Sequence, residues 1–143
     1  MNKVMLRIDA KQEGSQGEES VMELVTNGQS YSKDGSTYLV YDESELSGME
    51  GCVTTLMVED GVVTLKRHGA ASHELRFEQG KKFKGLYETP MGFFDMEILT
   101  DLIQNKLNSD ATEGSLEIEY EISLRGLMEA RNKMNIKILN VVQ

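Results

Sequence analysis

The sequence predicts an all-β protein in which residues 1–143 form one domain, a single antiparallel barrel. Short segments alternate apolar and polar side chains, which is typical of strands with one dry face and one wet face. Thirteen glycines, mostly beside Asp, Asn or Ser, separate these segments, and only one proline occurs. We expect about eight to ten strands. Closure removes the unpaired edges of such a sheet, so a closed barrel is the predicted fold and a sandwich the alternative.

The first half of the chain combines alternating strands with tight turns. Val4, Leu6 and Ile8 alternate with more polar neighbours and predict the first strand. Asp-Gly and Asn-Gly pairs favour hairpin turns. We therefore predict a hairpin over 51–67 around Asp60-Gly61, and a further turn at Asn27-Gly28.

The second half of the chain continues the alternation. In segment 116–124, apolar residues at every second position alternate with Glu117, Glu119 and Glu121. A helix would scatter these carboxylates around its circumference, so the segment predicts a strand with an acidic outer face. In segment 134–138, apolar residues again occupy every second position.

Two segments allow either a short helix or a strand. Segment 100–107 carries apolar residues at a spacing that suits one or two helical turns, and segment 127–134 is similar. Neither is long enough for the crossover helices that a parallel sheet needs repeatedly, so the antiparallel prediction does not depend on them.

Composition limits the compartment and the partners. The 24 acidic residues against 15 basic ones give a formal net charge of −9, which disfavours nucleic acid and anionic membranes as partners. The single cysteine, Cys52, has no partner for an internal disulfide. No apolar run approaches the roughly 20 residues that span a bilayer, and the N terminus has no secretory signal, so we expect a cytoplasmic protein.

Several short motifs occur in a characteristic order. They are Tyr41-Asp42-Glu43-Ser44-Glu45, Gly48-Met49, Thr54-Thr55, Arg67-His68-Gly69, Thr89-Pro90-Met91-Gly92, Tyr120 and Asn135-Ile136-Lys137-Ile138. Together they resemble the YwiB-like family, a group of small bacterial proteins of unknown function. The resemblance implies a calycin-type barrel, the architecture of lipocalins and fatty-acid-binding proteins. It implies no activity and no catalytic residues.

The candidate ligand-binding residues lie where strands meet turns. Arg67, Tyr87 and Thr89 would gather at one open end of a barrel, where a guanidinium and two hydroxyls can bind an anion. Tyr41 and Glu43 would share a strand face and join them. The alternative is that Arg67 forms a structural salt bridge with Glu43 or with Glu45, two residues further along.

Glu43 and Glu45 are also the one carboxylate pair considered for acid–base chemistry, because two nearby carboxylates raise each other's pKa. The alternative is a solvated strand end, since charged runs usually lie on the surface.

His68 and His73 bracket a short loop and would begin a metal site, but no further ligands complete it, so we expect none. Cys52 has no neighbouring group in sequence that would stabilise a thiolate, and we expect it to be buried as a small apolar residue.

Three functions remain open at this point. The first is non-catalytic binding of a small amphipathic or anionic molecule in the barrel or at its rim, where the nine methionines would give an adaptable lining. The second is a protein interaction module whose acidic face, Glu117, Glu119 and Glu121, meets a basic protein. The third, which has the least support, is an enzyme that uses Glu43 or Cys52. No cofactor is expected, and the sequence leaves open the oligomeric state and whether the barrel is hollow.

Overall fold

The computed structural model describes residues 1–142, which form ten strands and one 3-10 turn. The strands are β1 (Asn2–Gly14), β2 (Glu19–Lys33), β3 (Ser36–Asp42), β4 (Cys52–Glu59), β5 (Val62–Gly69), β6 (His73–Glu78), β7 (Lys82–Thr89), β8 (Gly92–Asn105), β9 (Gly114–Leu124) and β10 (Met128–Val141). The 3-10 turn, Glu45–Ser47, lies between β3 and β4.

One ten-stranded antiparallel sheet curls into a nearly closed barrel, as predicted. Its strand order is β6-β5-β4-β3-β2-β1-β10-β9-β8-β7. Chain neighbours therefore pair with each other, and β1 pairs with β10 to join the two halves. Within residues 1–142, no backbone ladder joins β6 to β7. We call the junction of these two strands the seam.

The turns alternate between two ends of the barrel. The upper end, where β3 ends and β4 begins, carries the connections 15–18, 43–51, 70–72, 90–91 and 125–127. The lower end carries the others. Two lower turns, Asp34-Gly35 and Asp60-Gly61, have positive φ at both residues, the conformation of tight hairpins with right-handed twist. The hairpin predicted over 51–67 is confirmed as β4–β5.

The turn predicted at Asn27-Gly28 is wrong, because these residues lie inside β2. A side-chain carbon at Gly28 would come 2.6 Å from the carbonyl oxygen of Val40 and 2.7 Å from a methyl of Leu6. Glycine is therefore needed there for close approach of neighbouring strands, the other common use of glycine in a sheet.

The two ambiguous segments are both strands. Segment 100–107 continues β8 to Asn105 after a bulge, and segment 127–134 begins β10. In the part of the chain that the structure describes there is no α-helix, and hence no helix that could cross a membrane.

Apolar side chains fill the middle and the lower part of the barrel. Successive strands contribute every second residue, as the alternation in the sequence predicts. The largest side chains with under 2% exposure include Phe77, Leu6, Ile8, Leu39, Leu56, Leu65, Ile98, Leu116, Ile118 and Ile136. The interior is thus a packed core over much of its length, which fits a barrel of this size.

We expect truncation of this core to be costly. Ile118→Ala should lower the free energy of unfolding by about 3 kcal/mol, because a fully buried side chain is lost and a cavity remains. Leu86→Ala is the matched control, since Leu86 is 62% exposed on the outer face and should change stability by less than about 0.5 kcal/mol. Urea unfolding measures both. Equal losses in the two variants would contradict this description of the interior.

Candidate functional site

Polar side chains replace the apolar ones on the inner wall near the upper end. There they line a cavity of about 260 Å³, which we call the Arg67 cavity. Its polar lining includes Tyr41, Glu43, Arg67, Tyr87, Tyr120 and Asn132, and the polar residues Lys11, Gln12, Ser20, Ser47 and Lys133 also border it. Its apolar lining includes Met22, Leu46, Met49, Leu75, Met128 and Met134.

Strand register explains why the polar groups meet. Tyr41 on β3 lies opposite Thr54 on β4, Thr54 lies opposite Arg67 on β5, and Arg67 lies opposite His73 on β6. Directly opposed residues in antiparallel strands project to the same side of the sheet. Four consecutive strands therefore each place one polar side chain inward at the same height.

Glu43 and Arg67 form an almost buried ion pair, one of the two alternatives for Arg67. The Glu43 side chain is 3% exposed and that of Arg67 is 16% exposed, with 3.7 Å between Glu43 Oε1 and Arg67 Nε. The hydroxyl of Thr54 donates a hydrogen bond of 2.6 Å to Glu43 Oε1. Glu43 is therefore not part of a solvated strand end. Glu45 lies exposed in the 3-10 turn, so the two glutamates do not form the carboxylate pair considered above.

Arg67 is incompletely satisfied. Its Nε is buried and has no hydrogen-bond partner among residues 1–142, because the distance to Glu43 exceeds hydrogen-bond length. Asn132 on β10 also lines the cavity, and its Nδ2 likewise has no partner in that range. Both atoms are donors. An unpaired buried donor typically costs about 1–3 kcal/mol, so the site is short of acceptors.

Three tyrosines surround Arg67, and burial is the main reason that the pKa of each is raised. Burial, and then the negative charge of Glu43, raises the pKa of Tyr41 far above its usual value. Burial raises the pKa of Tyr120 to about 12, against the opposing effect of Arg67. Burial also raises the pKa of Tyr87, which interacts with Arg67. All three hydroxyls stay protonated near neutral pH and can donate hydrogen bonds.

The two histidines lie on opposite sides of the sheet. His68 is exposed, whereas His73 is 5% exposed and stacks on Tyr87 with ring centroids 4.0 Å apart. They do not face each other, and no group of three or more potential metal ligands occurs in the described range 1–142. Cys52 is 2% exposed, and its Sγ lies 3.8 Å from the carbonyl oxygen of Ala71.

Four of the five predicted binding residues, Tyr41, Glu43, Arg67 and Tyr87, lie together in the cavity. The fifth, Thr89, does not line it, because its hydroxyl donates to the carbonyl of Gly92 and accepts from the amide of Met91 within the β7–β8 turn.

Sequence reasoning missed Thr54, Tyr120 and Asn132 at this site. Each occupies an inward position of a strand whose neighbours at i±2 are apolar. That signal, a polar side chain on the dry face of an alternating segment, would have identified them.

The three glutamates of β9 lie on the outer face. Glu117 pairs with Lys133 at 3.3 Å and Glu121 with Arg131 at 2.6 Å, both across the β9–β10 ladder. These pairs reduce the negative charge that this face presents.

The tyrosine pKa values predict alkaline destabilisation. A tyrosine whose pKa rises from 10.0 in the unfolded chain to about 12 in the fold stabilises the fold fully below pH 10.0. That contribution is lost as pH rises towards 12. We expect the urea midpoint to fall above about pH 10 together with a late rise of tyrosinate absorbance, and the fall to be smaller in Tyr120→Phe. A tyrosinate titration complete before any loss of stability would contradict this.

The ion pair predicts non-additive stability changes. Arg67→Gln should lower the free energy of unfolding by about 3 kcal/mol, because it leaves the Glu43 carboxylate buried without a counter-ion. The double variant Glu43→Gln/Arg67→Gln should recover most of that loss. Urea unfolding of both single variants and the double variant gives the coupling energy, and additive losses would show that the pair does not interact.

Comparison with known proteins adds a family. Residues 6–136 match the family model described as "Domain of unknown function (DUF1934)". The uncharacterized beta-barrel protein YwiB of Bacillus subtilis (strain 168) is 29% identical over 121 residues, which cover 84% of this chain and 82% of that protein. The crystal structure of ywiB protein from Bacillus subtilis has a TM-score of 0.84 and 24% sequence identity, over 99% of this chain and 93% of that one. The YwiB-like resemblance is thus confirmed, and the chain belongs to the DUF1934 family, whose function is unknown.

Proposed function

We propose that this protein is a non-catalytic binding protein that holds a small amphipathic carboxylate in the Arg67 cavity. The observation that carries the proposal is Arg67 itself, a nearly buried cation on a cavity wall whose only ionic partner in residues 1–142 lies beyond hydrogen-bond distance. A carboxylate is a planar acceptor that matches the guanidinium fork. Asn132 and the tyrosine hydroxyls supply further donors around the same space.

Arg67 is the cation that defines the polarity of the cavity. Lys11 and Lys133 border it, but both lie on strand positions that alternate with inward residues and therefore project outward. Each pairs there with a surface glutamate, Lys11 with Glu19 at 2.7 Å and Lys133 with Glu117 at 3.3 Å. The anionic head group would thus bind at one point, beside Arg67.

The rest of the cavity suits a short apolar body. Four methionines and several aliphatic side chains line it, and thioethers adapt to irregular ligands. A volume of about 260 Å³ lies just below the common range for ligand pockets, roughly 300–1,000 Å³. The packed core beneath leaves no channel for a long acyl chain, so the proposed ligand is a short-chain or small cyclic acid rather than a full-length lipid.

The architecture gives the proposal a precedent in kind. Antiparallel barrels of the calycin type enclose one small ligand. We include in the proposal that this barrel is of the calycin type.

The two other functions have less support. The Glu43 carboxylate already accepts a hydrogen bond from Thr54 and pairs with Arg67. Cys52 has no hydrogen bond to a base among the described residues. Neither residue therefore has the geometry of an activated catalytic group. The β9 glutamates are partly neutralised by β10 cations, which weakens the case for a basic protein partner.

Octanoate provides the test. Calorimetric titration and native mass spectrometry should both detect one bound octanoate per chain, and octanol should bind more weakly because it lacks the charge. Glu43→Gln should bind octanoate about tenfold more tightly, since it removes the carboxylate that competes for Arg67. Glu43→Gln/Arg67→Gln should lose the binding without leaving a buried unpaired charge.

Arg76→Gln is the matched control, because Arg76 is an exposed arginine on the outer face of β6. It should bind octanoate like the unmodified protein. Absence of octanoate binding, or equal binding by Glu43→Gln/Arg67→Gln and Arg76→Gln, would refute the proposed function.

A further inference from the structure

The seam is the one junction between neighbouring strands that side chains and turns close, rather than a backbone ladder, within residues 1–142. Near its lower end, the amide of Gly80 donates to the carbonyl of Thr100 at 2.8 Å, and the amide of Thr100 donates to the carbonyl of Lys81 at 3.3 Å. At its upper end three residues make the closure. Between these points apolar side chains of β6 and β7 meet without backbone pairing.

The upper closure, which we call the latch, consists of Ser72, His73 and Glu88. The ring of His73 is hydrogen-bonded through Nε2 to the carbonyl oxygen of Glu88 at 2.8 Å. The amide of Ser72 donates to Glu88 Oε1 at 3.0 Å. His73 also stacks on Tyr87, the residue before Glu88, at a ring distance of 4.0 Å and an interplanar angle of 12°.

The seam borders the Arg67 cavity. Leu75 on β6 and Tyr87 on β7 stand on either side of the seam, and both line the cavity. Separation of β6 from β7 at the upper end would therefore open the cavity sideways, directly beside Arg67. The other route, over the upper rim, passes the 43–51 segment, whose Leu46 and Met49 line the cavity.

We propose that the seam is the ligand entrance of the Arg67 cavity and that protonation of His73 opens it by releasing the latch. The inference rests on the proposed function, because an entrance requires a ligand.

The chemistry of the latch makes it sensitive to protons. A carbonyl oxygen only accepts hydrogen bonds, so Nε2 carries the hydrogen in the closed state. In neutral His73 the other nitrogen, Nδ1, is then bare, and it is buried without a partner in the described residues. Protonation would place an N–H group and a positive charge at this buried atom with no acceptor to receive them.

Charged and titratable groups approach His73 from each neighbouring strand. Arg67 lies opposite His73 on β5, and Tyr87 and Glu88 contact it from β7. Glu74 follows on β6 but is exposed on the opposite face, and Cys52 on β4 lies near Ala71, two residues before His73. Burial is the strongest influence and lowers the pKa of His73 below its usual 6.5, and the charge of Arg67 lowers it further. The hydrogen bond to the Glu88 carbonyl and the Glu88 carboxylate act in the opposite direction but do not prevail.

The sign of the effect follows from the two states. In the open state His73 is solvated and titrates at its usual value of 6.5, whereas in the closed state its pKa is lower, which favours the neutral form. Closure is therefore fully favoured above pH 6.5 and is lost as pH falls below that value.

Cys52 reports the opening without any ligand. It is the single cysteine of the chain, 2% exposed, and its Sγ lies under the turn that leads into the latch, 3.8 Å from the carbonyl of Ala71. Labelling by dithiodipyridine, divided by the rate for the urea-unfolded chain at the same pH, measures access to the thiol. We expect this ratio to rise about tenfold from about pH 7.5 to about pH 5.

His73→Gln is the matched variant, because its amide still donates to the Glu88 carbonyl but does not titrate. Its labelling ratio should stay constant with pH. Urea unfolding of both proteins at each pH separates local opening from global unfolding. A constant ratio in the unmodified protein, or the same rise in His73→Gln, would refute the switch.

Octanesulfonate, which stays anionic at both pH values, tests the entrance itself. Its association rate, followed by tyrosine fluorescence in a stopped-flow instrument, should rise about tenfold on acidification in the unmodified protein and not in His73→Gln. A pH-independent association rate beside a pH-dependent labelling ratio would mean entry over the rim and would refute the entrance. No octanesulfonate binding at either pH, with the labelling switch intact, would refute the proposed function and the entrance together while leaving the opening by His73 established.

Discussion

Pairing of the first strand with the last is the interaction on which the rest of the molecule depends. β1 and β10 align along most of their length and join a six-stranded part, β6 to β1, and a four-stranded part, β10 to β7, into one curved sheet. Their inward residues, Leu6, Ile8, Ile136 and Ile138, stand at the centre of the core. Once the sheet curves, every second side chain of every strand must share one interior. A polar residue at an inward position then has to find its partner inside the barrel.

That constraint accounts for the polar wall of the Arg67 cavity. Tyr41, Thr54 and Arg67 occupy inward positions at one height, so most of their polar surface is shielded from bulk water. Glu43 follows the end of β3 and turns inward to meet them. The ion pair stabilises the two charges against each other but leaves Arg67 Nε and Asn132 Nδ2 without a partner among residues 1–142. The Arg67 cavity lies beside this polar layer, with those two donor residues on its wall.

Alternation predicted the strands because burial on one side of a sheet is a local property that a sequence displays directly. It predicted the dry faces of β1, β9 and β10, and the Asp60-Gly61 hairpin. It failed at Asn27-Gly28, because the need for glycine there comes from contact with Leu6 and Val40, which are distant in sequence. The site was half predictable for the same reason. Arg67 and Glu43 lie near turns, where the sequence predicts binding residues. Asn132 lies in a segment that was interpreted only from the spacing of its apolar residues.

The seam shows how a fold that abolishes edges can still keep one junction weak. Backbone ladders make opening costly in proportion to their length, whereas β6 and β7 are held at the upper end by a few side-chain contacts. Local opening free energy is lowest where few buried hydrogen bonds must break. Because the polar layer lies at the same height as this weak point, the entrance that we propose and the protonation state of His73 depend on the same contacts. Under the proposed entrance, the seam gives the Arg67 cavity a route through the side wall in addition to the route over the upper rim.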